Sequence, residues 1–125
     1  MQTFEINGKE YELKLTYQSI SLLNSYTENN NPMEIVGQAM QGDLEFFPKI
    51  IHAALLHTGE NFPLKTIEHA IEDKISNEEI DFLDIMEIGY EVVANSFFYA
   101  RIVDKSLAEN PQAKEQLEKL LNSEN

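Results

Sequence analysis

Hydrophobic and polar residues alternate near the start of the chain, on both sides of the pair Asn7-Gly8. A period of two predicts β-strands, and Asn-Gly favours a two-residue type I′ turn because both of its residues must adopt positive φ. This turn would place Phe4 opposite Tyr11. We therefore predict a β-hairpin within residues 2–15. The apolar face of the hairpin consists of Phe4, Ile6, Tyr11 and Leu13.

The chain that follows is patterned for helices, with apolar residues three and four positions apart and a capping residue before most runs. Thr16 is placed to cap the first helix, and Asn31 followed by Pro32 to begin the second. Pro48 limits the start of the third, because an α-helix tolerates proline only in its first turn. The predicted helices span about 17–28, Asn31 to Gly42, and about 63–74. The third helix, which lies between the last two of these, begins between Asp43 and Pro48, with Phe47 as an alternative start, and carries Ile50, Ile51, Ala54 and Leu55.

A single long helix is predicted from about 77 to 105, the longest periodic stretch of the chain, with Ser76 and Glu79 as its capping box. Gly89 in the middle of this helix costs about 1 kcal/mol relative to alanine, which indicates either a close crossing with another helix or a local bulge. The stripe that faces the core consists of Leu83, Met86, Tyr90, Val93 and Phe97.

The second half of this predicted helix lacks a polar face. A line of polar residues runs from Asp84 to Asn95, and the next two positions on the same line are Phe98 and Ile102. A helix that is apolar on all sides either is central in its domain or meets a second surface, so packing within the chain, partner binding and self-association all stay open. Ile102 lies nearer the helix end, and we expect it to be more accessible than Phe98. The candidate partner-binding residues are Phe98, Ile102, Tyr99 and Val92.

The pair Asn110-Pro111 restarts a short helix over 111–125. Its narrow leucine stripe buries little apolar area to offset the entropy of ordering, so we expect this segment to be separately mobile. We predict one domain over residues 1–125, of the α+β class but mostly α. In this fold the hairpin packs on a body of five to six helices, most of it within residues 17–105.

The charge of the chain restricts its partners. It carries 9 basic and 22 acidic residues among 125, a net charge of −13, which disfavours binding to nucleic acid phosphates or anionic lipids. No apolar stretch approaches the roughly 20 residues needed to span a bilayer, and the start lacks the regions of a signal peptide. We expect neither nucleic acid nor membrane as a partner. The same charge would also suit a protein that mimics nucleic acid.

Residues suited to catalysis or metal binding are not grouped in a known motif. The chain has no cysteine, and its three histidines, His52, His57 and His69, are not spaced for a shared metal site. Glycine-rich phosphate loops and the GxSxG elbow are absent from the sequence. We therefore predict no catalytic residue, no cofactor and no metal, and a protein that is not an enzyme.

The stretch MQTFEINGKEYELKLTYQSISLLN resembles the opening of the tail assembly chaperones of long-tailed phages that infect Gram-positive hosts. The most telling part is FEINGKEYELKLTY, because those proteins also open with apolar β residues, NGK, a leucine and then a helix. They are also small, acidic and helical, and they carry no catalytic motif.

The resemblance implies a protein that holds the hydrophobic tape measure protein soluble until tail tube subunits polymerise around it. In that family a longer form, made by ribosomal frameshifting, engages the tail tube protein through an added C-terminal part. The resemblance also implies action in the host bacterial cytoplasm and absence from the mature virion. Two alternatives stay open: an acidic nucleic-acid-mimicking inhibitor, and another small protein-interaction module.

Overall fold

The computed structural model describes residues 2–112, 115, 118 and 119, apart from the side chain of Ser106. Most of the predicted C-terminal helix over 111–125 therefore lies outside the described residues. The described elements are β1 (Thr3–Ile6), β2 (Lys9–Glu12), α1 (Tyr17–Ser25), α2 (Pro32–Gln41), α3 (Phe47–Ala54), α4 (Leu64–Ser76), α5 (Phe82–Ala94), α6 (Ala100–Glu109) and two short 3₁₀ turns, Glu28–Asn30 and Leu56–Thr58. The predicted class, α+β but mostly α, is confirmed.

The N-terminal hairpin forms as the alternation predicts. Asn7 and Gly8 have φ values of 54° and 83°, as a type I′ turn requires, and Phe4 pairs with Tyr11 in the antiparallel register. The side chains of Phe4 and Ile6 are buried. A two-stranded ribbon is at best marginally stable alone, so this apolar face depends on the helices beneath it.

The hairpin packs against the C-terminal end of α3 and the turn that follows it. The N–H of Lys14 donates to the carbonyl oxygen of Ala54 at 3.1 Å. His57 Nε2 donates to the carbonyl oxygen of Glu12 at 2.7 Å. The ring of Tyr11 meets that of Phe62 edge-on, with centroids 5.3 Å apart. The ribbon thus covers apolar helix surface and satisfies backbone groups at the same time.

The early helices begin where the capping residues predict. Thr16 Oγ1 accepts the N–H of Ser19 at 3.3 Å, and Asn31 Oδ1 accepts the N–H of Met33 at 3.0 Å. The third helix starts at Phe47, as its proline requires. The first helix is shorter than predicted, because the chain after Ser25 closes with hydrogen bonds to carbonyl groups three residues back.

The central helix of the fold is α3, which contacts α1, α4 and α5. It is apolar on nearly every side and carries the densest set of buried side chains. These are Phe47, Pro48, Ile50, Ile51, Ala53 and Ala54. The apolar helix that we expected at 77–105 is therefore not the centre of the domain.

The prediction of one helix from 77 to 105 is wrong. Ser76 is the last residue of α4, and α5 begins only after Asp81, whose side chain accepts the N–H of Asp84 at 2.9 Å. This bond to the N–H of Asp84 is also the main reason that the pKa of Asp81 is lowered. A second break follows Ala94, because the Ser96 hydroxyl binds backbone N–H groups that a continuous helix would use.

The two breaks also change which side of α5 is buried. Its buried residues are Ile85, Gly89, Val92 and Val93. Leu83 and Phe97 of the predicted core stripe are exposed. The close crossing predicted at Gly89 is confirmed: a Cβ atom there would lie 3.4 Å from the carbonyl oxygen of Ala39 in α2.

Candidate partner-binding surface

Three exposed aromatic residues meet at one end of the molecule. Tyr17, Phe97 and Phe98 line a cleft of about 300 Å³ between α1 and the turn that joins α5 to α6. Their side chains are 82%, 68% and 43% exposed, respectively. We call this the aromatic cleft. Its other lining residues are Ile20, Ser21, Asn24 and Asn30.

Local backbone structure at the start of α1 places Tyr17 on the surface. A reciprocal capping box between Thr16 and Ser19 fixes where the helix begins. Tyr17 is then the first helical residue, and the buried side of α1 is formed by Ser19, Ile20 and Leu23. Ser19 is held in the core by a hydrogen bond from its hydroxyl to the carbonyl oxygen of Ala53, at 2.6 Å. The phenol ring of Tyr17 consequently projects away from the core.

The turn between α5 and α6 places the two phenylalanines. Ser96 is buried, and its Oγ accepts the N–H of Phe98 at 3.1 Å and that of Tyr99 at 3.3 Å. These bonds hold the backbone of the turn without using side chains of the aromatic residues. Phe97 and Phe98 therefore stay available on the outside of the turn.

Tyr99 anchors this turn to α1. Its ring is fully buried, and its hydroxyl donates to Asn24 Oδ1 at 2.8 Å, joining residues 75 positions apart. Burial raises the pKa of the Tyr99 phenol, which favours its neutral, hydrogen-bonding form. The ring of Phe98 meets that of Tyr99 edge-on, with centroids 5.3 Å apart. The exposed ring thus rests on a buried one.

The four residues selected from the sequence have different surroundings. Tyr99 and Val92 are buried within the chain, so their side chains are not offered to a partner. Phe98 is exposed and lines the cleft, whereas Ile102 is partly buried against the core. The expectation that Ile102 is the more accessible of the two is wrong, because the helix breaks before α6 and leaves Phe98 in a turn.

Sequence reasoning missed Tyr17, and it assigned Phe97 to the core. The helical pattern carries no signal for the exposure of Tyr17, because this residue lies three positions before the buried Ile20. For Phe97 the signal was the pair Asn95-Ser96, since both residue types favour helix ends over helix interiors.

The aromatic cleft is electrostatically distinct from the rest of the surface. Among the described residues that line it, none is charged, although the chain carries a net charge of −13. Its polar groups are amides and hydroxyls. Such a lining suits apolar and aromatic side chains, which carry no charge to be desolvated.

Two of the three histidines, His52 and His57, bind backbone carbonyl groups. Nε2 of His52 donates to the carbonyl oxygen of Phe62 at 2.9 Å, as Nε2 of His57 does to β2. In the part of the chain that the structure describes, no three His, Asp or Glu residues are grouped to hold a metal ion. Across the same residues, no helix is both long and apolar enough to cross a membrane.

Comparison with known protein families gives a match over most of the chain. The model of a family described as phage tail assembly chaperone protein, TAC, matches residues 3–107, which run from β1 into α6 and include the whole aromatic cleft. Neither the curated proteins nor the solved structures contain a match to the chain.

Proposed function

The chain belongs to the phage tail assembly chaperone family, and from this premise we propose that it binds the tape measure protein through the aromatic cleft. The observation that carries the proposal is the exposure of Tyr17, Phe97 and Phe98 around an uncharged cleft. Aromatic side chains supply large contact areas, and exposed apolar patches of this kind mark sites of protein interaction. A hydrophobic client would cover the three rings and remain in solution through the charge of its chaperone.

The proposal extends to tail tube recruitment. A longer form of the chain would bring the tail tube protein to the bound tape measure protein through an added C-terminal part. Binding of this kind needs neither a cofactor nor a catalytic step. The complex would assemble in the cytoplasm of the host bacterium, and the chaperone would be absent from the mature virion.

The rival interpretation as a nucleic-acid mimic is less well supported. A mimic needs carboxylates arrayed on one exposed face and little exposed apolar surface. Tyr17 and Phe97 are among the most exposed large apolar residues of the described chain, and such rings would not resemble a phosphate backbone.

Co-expression with the tape measure protein tests the proposal. The variant Phe97→Ser/Phe98→Ser removes the two rings from the α5–α6 turn and leaves the buried Tyr99 in place. Phe82→Ser is the matched control, because Phe82 is also an exposed phenylalanine but lies at the start of α5, against Gly42. We expect the double variant to lose most co-purifying tape measure protein and the control to keep it.

Two readouts make the result interpretable. Thermal melting checks that both variants are folded, and light scattering checks whether the rings serve self-association instead. If the double variant is folded and retains its client, the aromatic cleft is not the binding site. If it loses a dimer but keeps its client, the cleft is a contact between copies of the chain.

A further inference from the structure

A second groove lies on a different part of the molecule, between the start of α3 and the length of α4. Its volume is about 590 Å³, and its apolar lining is formed by Leu44, Pro48, Ile71 and Ile75. Pro48 and Ile71 are buried floor residues, whereas Leu44 and Ile75 are exposed at the edges. An apolar floor with exposed apolar edges indicates a surface that another chain covers.

Three carboxylates surround this floor: Glu45, Glu68 and Glu72. Among the described residues, none of the three forms an ion pair, and all are exposed. The one cation on the groove, Lys49, is drawn towards two rings, with Nζ 5.0 Å from the centroid of Tyr26 and 5.7 Å from that of Phe46. The groove therefore keeps an excess of negative charge beside its apolar floor. We call it the acidic groove.

The shape of the acidic groove favours a helical occupant. Its α4 wall runs from Glu68 to Ser76, about 12 Å at 1.5 Å per residue, which matches roughly two turns of a second helix. Its described walls are helices and the turn before α3, and helix backbone groups are already paired within the helix. An extended segment would find few backbone partners there, whereas a helix satisfies its own N–H and C=O groups.

We propose that the acidic groove binds an amphipathic helix of a partner protein, with an apolar stripe flanked by lysine or arginine. The apolar stripe would cover Leu44, Ile71 and Ile75, and the flanking cations would pair with the three glutamates. This site is separate from the aromatic cleft, and its occupant is distinguished by positive charge. The proposal does not depend on tape measure binding at the cleft.

A synthetic peptide of about 18 residues, long enough to form a helix on a surface, is the probe. It carries leucine at helical spacing and lysine on both sides of the stripe. One control peptide has glutamate in place of lysine, and another has the same composition in scrambled order. We expect the protein to bind the first peptide, and to bind the two controls at least about tenfold more weakly, because one lacks the cations and the other the stripe.

Neutralising variants locate the bound peptide. The variant Glu45→Gln/Glu68→Gln/Glu72→Gln should weaken binding about tenfold, as the loss of three ion pairs of ordinary strength predicts. Because the net charge of −13 attracts any basic peptide, a matched control is needed. Glu10→Gln/Glu60→Gln/Glu109→Gln removes the same charge from exposed positions outside the groove and should have less than about a twofold effect.

Other outcomes would overturn the proposal. Equal weakening by the two triple variants would mean that attraction is general rather than local. Unchanged affinity in Leu44→Ser/Ile75→Ser, or equal binding of the scrambled peptide, would mean that the apolar floor is not used. Loss of binding in Phe97→Ser/Phe98→Ser would place the peptide in the aromatic cleft instead. If that variant still binds the peptide but no longer co-purifies with the tape measure protein, the result would support two separate binding sites.

Discussion

The aromatic cleft and the acidic groove present opposite chemistry on the same small fold. The cleft is lined by exposed rings, amides and hydroxyls, and none of the described residues that line it is charged. The groove has an aliphatic floor and three glutamates around it. A client without charge gains most from the first surface, and a cationic helix gains most from the second. If each surface binds the segment proposed for it, the two segments would not compete for one site.

The two surfaces also depend differently on the core. Of the three rings of the cleft, that of Phe98 rests on Tyr99, which ties the α5–α6 turn to α1 through Asn24. The groove lies on the regular faces of α3 and α4, whose buried residues support it directly. A substitution that removes the buried ring of Tyr99 should therefore disturb the aromatic cleft more than the acidic groove.

The largest expected effect is that of Tyr99→Ala on stability. Removing a fully buried aromatic ring costs about 3–5 kcal/mol of unfolding free energy, because the cavity refills only in part. Phe98→Ala, one residue away, should cost much less, because its ring is 43% exposed. Denaturant unfolding of the two variants measures both values. Equal losses would mean that the turn does not rest on Tyr99 as the packing indicates.

The next largest effect is expected from salt, which should change the binding affinity of one surface much more than that of the other. Raising the ionic strength shortens the distance over which exposed charges attract each other, to about 10 Å at 0.1 M, so binding of the basic peptide to the groove should weaken several-fold between low and high salt. Binding of the tape measure protein at the uncharged cleft should change little or become tighter. Titrations at two salt concentrations measure both affinities. The same salt dependence at both sites would remove the distinction between them.

A smaller effect is expected for Tyr99→Phe, which removes the hydroxyl but keeps the ring. Loss of the hydrogen bond to Asn24 should cost about 1 kcal/mol. The pH dependence should change as well, because the raised pKa of the Tyr99 phenol means that the folded state disfavours the phenolate. The stability that the folded state gains from the protonated Tyr99 phenol is therefore complete below the ordinary tyrosine pKa of about 10. It is lost as the pH rises above that value.

Comparing the parent chain with Tyr99→Phe isolates the effect of the Tyr99 phenol on the pH dependence of stability. Above pH 10 the parent chain should lose stability more steeply than Tyr99→Phe, since other groups titrate equally in both. Unfolding measurements from pH 8 to pH 11 follow the difference. Parallel curves across that range would show that the buried phenol is not linked to folding.

Local signals were sufficient to predict the first part of the fold. Asn7-Gly8 fixes the hairpin turn, Asn31 caps α2, and Gly42 ends it in the left-handed conformation. Each of these residues has a backbone preference that needs no distant partner.

The segment from 77 to 105 could not be predicted in the same way. The residues SFFYA continue a helical apolar pattern, and the break at Ser96 is held by the contact of Tyr99 with a residue 75 positions earlier in the chain. The site was predicted only in part for the same reason. Phe98 does line the cleft, but its exposure comes from the turn and not from the polar line that drew attention to it.

Site-specific photo-crosslinking shows whether the aromatic cleft contacts the tape measure protein in the complex. A photoreactive phenylalanine derivative placed at Phe97 keeps an aromatic ring in the cleft, and the same derivative at Phe82 serves as a matched control on an exposed ring elsewhere. On irradiation of the co-expressed complex, position 97 should crosslink to the tape measure protein and position 82 should not. Crosslinking at position 82 with none at position 97 would contradict the proposed contact.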